Sequence, residues 1–294
     1  MRSLLAFESR RKTRIHLSVP GKTLSQPLCT RFGQDAGWFL ALLLLLCSNA
    51  VAQPTRRPLR IAAAADLQPV LPPILHAFTQ QTGIPASATF ESSSALTAQI
   101  LNGAEFDLFL SADMQYPARV IAAGLGTTSR PVPYAHGVLV LFTRKDSRWP
   151  RPTLDLLRDP QLKRLAIADP YRAPYGSAAM AVLSRLGLAS ALRSRLVTAV
   201  NIAQASEFAE TGNADAGLIS QTAAMTPALR SAGSFLVVPQ QLYPVITQGA
   251  VVLAHANGSA HARQLLDFLL TPAVQQQLVR SGLQAVAPST REAQ

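Results

Sequence analysis

From Leu59 onward the chain alternates short strand-like runs with segments of helical spacing, and that alternation leaves few architectures open. The runs are "LRIAAAA" (Leu59 to Ala65), "ASATFE" (Ala86 to Glu91) and "FDLFLSAD" (Phe106 to Asp113). A run as apolar as the last cannot leave one side in water, so both sides must be covered. Strand, helix, strand, helix, strand, helix then implies a mostly parallel sheet flanked by helices. In the first intervening segment Leu67, Val70, Leu71, Ile74 and Phe78 recur at three-to-four spacing, and Gly83 closes the run. Pro69 suits a first turn, but Pro72 and Pro73 do not suit a helix interior, so a distorted start or a kink is expected there. "SSSALTAQILNG" and "MQYPARVIAAGLG" give the second and third helices.

A second α/β unit follows. "PYAHGVLVLFTR" (Pro133 to Arg144) is a long strand with no helix close behind, and "RLAIADP", "AGLIS", "SFLVVP" and "TQGAVVLA" are later strand candidates. Helices are expected around Ser177 to Leu186, Ala189 to Leu196 and Ala203 to Thr211, then two more split at Pro272. The fold class is therefore α/β with two lobes. Residues 53–134 plus 247–294 form lobe I and residues 135–246 form lobe II, with the long strands near 133–144 and 246–254 as crossovers.

The first 52 residues stand apart. "WFLALLLLLCSNAVAQ" is an apolar run closed by Ala50-Val51-Ala52, with Arg10, Arg11, Lys12, Arg14, Lys22 and Arg31 ahead of it. That is the anatomy of a secretory signal peptide, with an apolar core shorter than the roughly 20 residues a membrane span needs. The long segment ahead of the core leaves room for a start codon downstream of Met1. Both cysteines, Cys29 and Cys47, lie in this region, so the remainder has no disulfide and no thiol nucleophile. Residues 1–52 also hold seven of the 27 Lys/Arg and two of the 16 Asp/Glu, which lowers the net charge from +11 to +6 for the rest. No basic cluster with interleaved aromatics suggests nucleic acid.

Little supports catalysis. There is no G-x-S-x-G, no glycine-rich phosphate loop and no H-x-x-x-H pair, and His76, His136, His255 and His261 are scattered. Anion binding has more to recommend it. Ligands of open α/β sheets sit beyond the carboxyl ends of the strands, where Asp66, Ser92 to Ser94 and Ser111 to Asp113 all fall. The serine triplet also opens a helix, where free N–H groups and the dipole favour negative charge. One serine is explained by capping; three in a row point further, to a pocket edge. No Lys or Arg occurs between Arg60 and Arg119, so an anion held here is held by neutral dipoles. Charge-assisted hydrogen bonds of roughly 1.5–3 kcal/mol each make that sufficient: five gross about 8–15 kcal/mol, against about 8 net for micromolar affinity.

"AAAADL", "FESSSALTAQILNGAEFDLFLSAD", "IADPYRAPYG" and "ADAGLIS" together resemble the periplasmic molybdate-binding proteins of ABC importers, over about Leu59 to Pro288. The resemblance implies a type II periplasmic binding protein fold that closes on a tetrahedral oxyanion, molybdate or tungstate. It implies delivery to a membrane permease, a periplasmic location, a monomer, no cofactor beyond the anion and no enzymatic activity. It assigns ligand donors from both lobes. Asp66 follows the alanine run where the family usually has serine, and Ser93 is the middle of the triplet. Tyr175 and Ile202 contribute backbone N–H groups, and Ser220 ends the "AGLIS" strand where tyrosine is common. A carboxylate at Asp66 repels a dianion unless it turns back to cap its helix or accepts a proton carried by the ligand. Other tetrahedral oxyanions such as sulfate or phosphate form the alternative ligand class. Ferric iron lacks the adjacent tyrosines it uses in this fold class, and an exported serine hydrolase using Ser92 to Ser94 lacks a base partner.

Overall fold

The computed structural model describes residues 57–254 and 259–286; the expected signal peptide and His255 lie outside them. The first sheet opens with β1 (Leu59–Ala64), followed by α1 (Leu71–Thr82), β2 (Ala86–Glu91), α2 (Ser93–Leu101), β3 (Leu108–Ser111) and α3 (Gln115–Ala122). β4 (Val132–Gly137) completes this stretch. The second sheet begins at once with β5 (Leu139–Arg144) and continues through β6 (Leu165–Ala168) and α4 (Pro174–Arg185). Then come α5 (Ala189–Leu192), β7 (Leu196–Ala199), α6 (Ile202–Thr211), β8 (Ala216–Ser220), α7 (Gln221–Ala224), α8 (Pro227–Ala232) and β9 (Gly233–Val237). The chain returns to the first sheet with β10 (Ile246–Val252), α9 (Ser259–Leu269) and α10 (Pro272–Arg280).

The strand orders are β2-β1-β3-β10-β4 and β7-β6-β8-β5-β9. Both sheets are mixed. β1 runs parallel to β2 and β3, and β6 parallel to β7 and β8, while β10 and β5 pair antiparallel with their neighbours. Burial on both faces follows from the period of two along a strand. Ile61, Ala63, Leu108 and Leu110 pack with Ile74 and Phe78 of α1 and Leu265 of α9. The intervening Ala62 and Phe109 pack on the other side with Leu96, Ile100 and Val120. Lobe II has a single larger core around Leu141, Ile167, Val182 and Leu218.

Three of the differences from the sequence expectation concern the crossings between the sheets and the start of α1. The long strand near 133–144 is two strands in different sheets, with Val138 alone between them. β10 belongs wholly to the first sheet, so the second crossing is made by the segment between β9 and β10, which holds a 3-10 turn at Gln240–Leu242. Of the distorted start or kink expected around the prolines, the start is distorted, with a 3-10 segment at Ala65–Leu67 ahead of α1, but Pro72 and Pro73 do not kink it, because the helix starts at Leu71 and places both in its first turn. The N–H groups that proline lacks would have no intrahelical partner at that position.

Candidate functional site

β1 ends at Ala64 and turns into a 3-10 segment, Ala65–Leu67, that sinks Asp66 into the protein at 1 % exposure. Its Oδ2 accepts hydrogen bonds from the Tyr175 hydroxyl at 3.0 Å and from Gln248 Nε2. Its main-chain oxygen accepts one from Thr222 Oγ1 at 2.8 Å. Oδ1, equally buried, has no partner among the described residues. Burial pushes the carboxyl up from an ordinary 3.8 to about 6, against the hydrogen bonds from Gln248 and Tyr175, which pull it down. The carboxyl does not turn back to cap its own helix. Pro69 has no N–H to offer, and the Gln68 N–H is spent on the Ala65 carbonyl at 3.2 Å.

The serine triplet divides its duties. Ser92 caps α2, its Oγ accepting from Ala95 N at 3.3 Å. Ser93 is buried, and its Oγ accepts from Ala112 N at 3.1 Å, which ties the start of α2 to the end of β3. That bond uses a lone pair of the hydroxyl; its proton has no acceptor among the described residues. Ser94 N donates across to the Arg172 carbonyl at 3.4 Å. Ser111 and Asp113 serve α3 instead: Asp113 Oδ1 accepts from Tyr116 N at 3.0 Å and from Ser111 Oγ at 3.2 Å.

Lobe II presents helix starts. α4 opens at Pro174 with no side-chain cap, so the Tyr175 amide is the first free donor of that helix. Gly176 lets the start come close to β6, since a Cβ there would run into the carbonyls of Ala168 and Asp169. α6 opens after Asn201, whose Oδ1 accepts from Gln204 N at 3.0 Å and leaves the Ile202 amide without an acceptor among the described residues. Asn201 Nδ2 reaches Glu91 Oε2 in lobe I at 3.3 Å.

These groups meet at one tight cavity of about 10 Å³, lined by Asp66, Ser92, Ser93, Ala112, Tyr175 and Ile202, with Glu91 at its side. The amino ends of α2, α4 and α6 converge there, each bringing the positive end of its dipole, α4 and α6 with the free amides of Tyr175 and Ile202. Among the described residues no Lys or Arg lines it. A larger groove between the lobes, lined among others by Tyr116, Arg119, Tyr171, Ser177 and Val245, does hold a cation, Arg119, packed 5.1 Å over the Tyr116 ring. The unspent donors lie in the smaller cavity. The arrangement suits a small anion with several acceptor oxygens.

Asp66, Ser93, Tyr175 and Ile202 are thus brought together, and Ser220 is not with them. Ser220 caps α7, its Oγ accepting from Ala223 N at 3.3 Å, and it meets Thr222 Oγ1 at 2.9 Å, behind Asp66. Sequence reasoning missed Gln248, Thr222 and Glu91. Gln248 was findable, as a polar residue inside the buried run "TQGAVVLA". Thr222 and Glu91 carry no such mark. Tyr175, expected to act through its amide, also spends its hydroxyl on Asp66. His136 is structural, exchanging backbone bonds with Gln284 at 2.8 Å. Among the described residues no group of His, Cys, Asp or Glu could hold a metal ion, and no helix is long and apolar enough to cross a membrane.

Residues 59–284 match a family model described as bacterial extracellular solute-binding protein. The chain is 40 % identical over 195 residues to the molybdate-binding protein ModA of Rhodobacter capsulatus, covering 66 % of this chain and 75 % of that one. It is 34 % identical to ModA of Azotobacter vinelandii, over 78 % of this chain and 88 % of that one. The solved structure of an Azotobacter vinelandii periplasmic molybdate-binding protein superimposes with a TM-score of 0.73 at 28 % identity, over 78 % of this chain and all of the other.

Proposed function

The chain belongs to the bacterial extracellular solute-binding proteins, and from that premise we propose that it is the periplasmic receptor of an ABC importer for molybdate. The observation that carries the reading is the convergence of three helix starts and the Ser93 hydroxyl on a cavity with no cation. An oxyanion held there would accept hydrogen bonds from hydroxyls of lobe I and amides of lobe II. It would stabilise the closed arrangement in proportion to its preference for that arrangement. A membrane permease would recognise the closed form. The closed form already has its own ties, since Tyr175 and Thr222 of lobe II bond to Asp66, and Asn201 to Glu91.

Tungstate has the same shape and charge and is proposed as a second ligand. We also assign Asp66, Ser93, Tyr175 and Ile202 as the residues that hold the anion, with Ser220 supporting them from behind. The protein is proposed to act as a monomer, without cofactor, after export by its N-terminal apolar segment. The family is one of binding proteins and not of enzymes. Consistent with that, a fluorophosphonate probe is expected to leave Ser92 to Ser94 unlabelled. Isothermal titration of the protein with molybdate, tungstate, sulfate and phosphate tests the main reading. Saturable binding of molybdate and tungstate at one site, tighter than sulfate and phosphate, is expected. Preference for sulfate or phosphate would reassign the ligand, and no binding of any of the four would end the proposal.

A further inference from the structure

We infer that Asp66 sets the charge state this site accepts, entering the complex as the neutral acid so that one proton is taken up with each tetrahedral dianion. The inference rests on the cavity being the oxyanion site proposed above. Its starting point is an asymmetry within one carboxyl group. Oδ2 is occupied by two donors, the Tyr175 hydroxyl and Gln248 Nε2. Oδ1 is buried with no partner among the described residues, and Asp66 lines the cavity. The oxygen left for a guest is therefore Oδ1. As a carboxylate oxygen it can only accept, and a fully deprotonated oxyanion can only accept too. Two acceptors, both negative, would face each other in a space with no cation to offset them. A proton on Oδ1 turns that opposition into a hydrogen bond, with the acid donating and the oxyanion accepting.

No neighbouring group removes the need for that proton. The charge of Asp66 reaches Tyr175 from α4 and Tyr134 from β4, and burial first, with that charge, holds both hydroxyls well above their ordinary 10, so both stay neutral. Glu91 from β2 lines the same cavity and is negative when ionised, which adds to the repulsion. No described salt bridge involves Asp66 or Glu91. Burial already brings Asp66 to about 6 before any anion arrives, so the proton it needs is available near neutral pH. The proton comes from solvent, goes to Oδ1 and returns to solvent on release. No other bond changes.

Affinity for molybdate should hold level below about pH 6 and weaken about tenfold per pH unit above it, the slope of one linked proton. Calorimetric titration at a fixed pH near 7.5, in two buffers of different ionisation enthalpy, should show about one proton taken up per anion. Asp66→Asn and Asp66→Ser, which offer a donor and cannot ionise, should take up no proton and show a dissociation constant independent of pH. Glu91→Gln should keep the wild-type slope. A level wild-type profile without proton uptake overturns the inference and leaves the receptor reading standing. So does uptake that survives in Asp66→Asn and vanishes in Glu91→Gln. Wild-type protein that binds none of molybdate, tungstate, sulfate and phosphate at any pH overturns both.

Discussion

Lobe I meets the cavity with side chains, Asp66, Ser92 and Ser93, whereas lobe II meets it mainly with backbone, the amides of Tyr175 and Ile202 at the starts of α4 and α6. The two kinds of donor answer to different changes. A hydroxyl or a carboxyl can be removed or titrated in place. An amide can be altered only by moving the helix that carries it. Substitutions and pH should therefore act on affinity through lobe I, and geometry through lobe II.

Four measurements would break or sharpen that contrast. The largest effect is on stability and comes from Asp66. Its carboxyl releases its proton near 3.8 when unfolded and near 6 when folded. Below the first value both states are protonated and nothing is lost. As pH rises toward 6, the unfolded state ionises first and gains on the folded one. Above 6 the full cost stands, about 3 kcal/mol. Ligand-free protein should thus lose melting temperature between pH 4 and pH 7, and Asp66→Asn should lose less; equal losses would remove Asp66 as the cause.

Gly176→Ala comes next, at about 2 kcal/mol of stability from overpacking against the carbonyls of Ala168 and Asp169. Because it shifts the start of α4, it should abolish molybdate binding even where the protein remains folded, as circular dichroism and titration together would show. Ser93→Ala removes one charge-assisted donor and should weaken binding by roughly tenfold to a hundredfold. An unchanged dissociation constant would mean that lobe I does not bind through that hydroxyl. Ile202→Val is the smallest for affinity. It trims a side chain buried to 3 % exposure, costs about 1 kcal/mol in denaturant melts and leaves the amide in place. Affinity should move less than about twofold; a larger loss would show that the side chain, and not the backbone, serves the ligand.

What could be seen in the sequence follows the same division. Strands β1, β2, β3, β6 and β8 announce themselves as short apolar runs and the helices between them by three-to-four spacing, and the serine triplet stands out at its strand end. β7 escaped, because Leu196–Ala199 is a short edge strand only partly buried, and "ASALRSRL" before it runs into it as helix. The change of sheet at Val138 has no signature, since one residue is all it takes. The lobe II donors are invisible to composition or spacing, because any residue has an amide. Only the likeness to a family pointed to Tyr175 and Ile202. The same likeness put Ser220 at the ligand, but its hydroxyl is spent on α7 and Thr222.

A cavity furnished by helix starts without lysine or arginine has a further consequence, for the speed of capture. The pull of a helix end fades within about a turn, so it cannot gather anions from a distance as a charged funnel does. Arrival is then left to diffusion and to how often the halves part, and dissolved salt has little to screen.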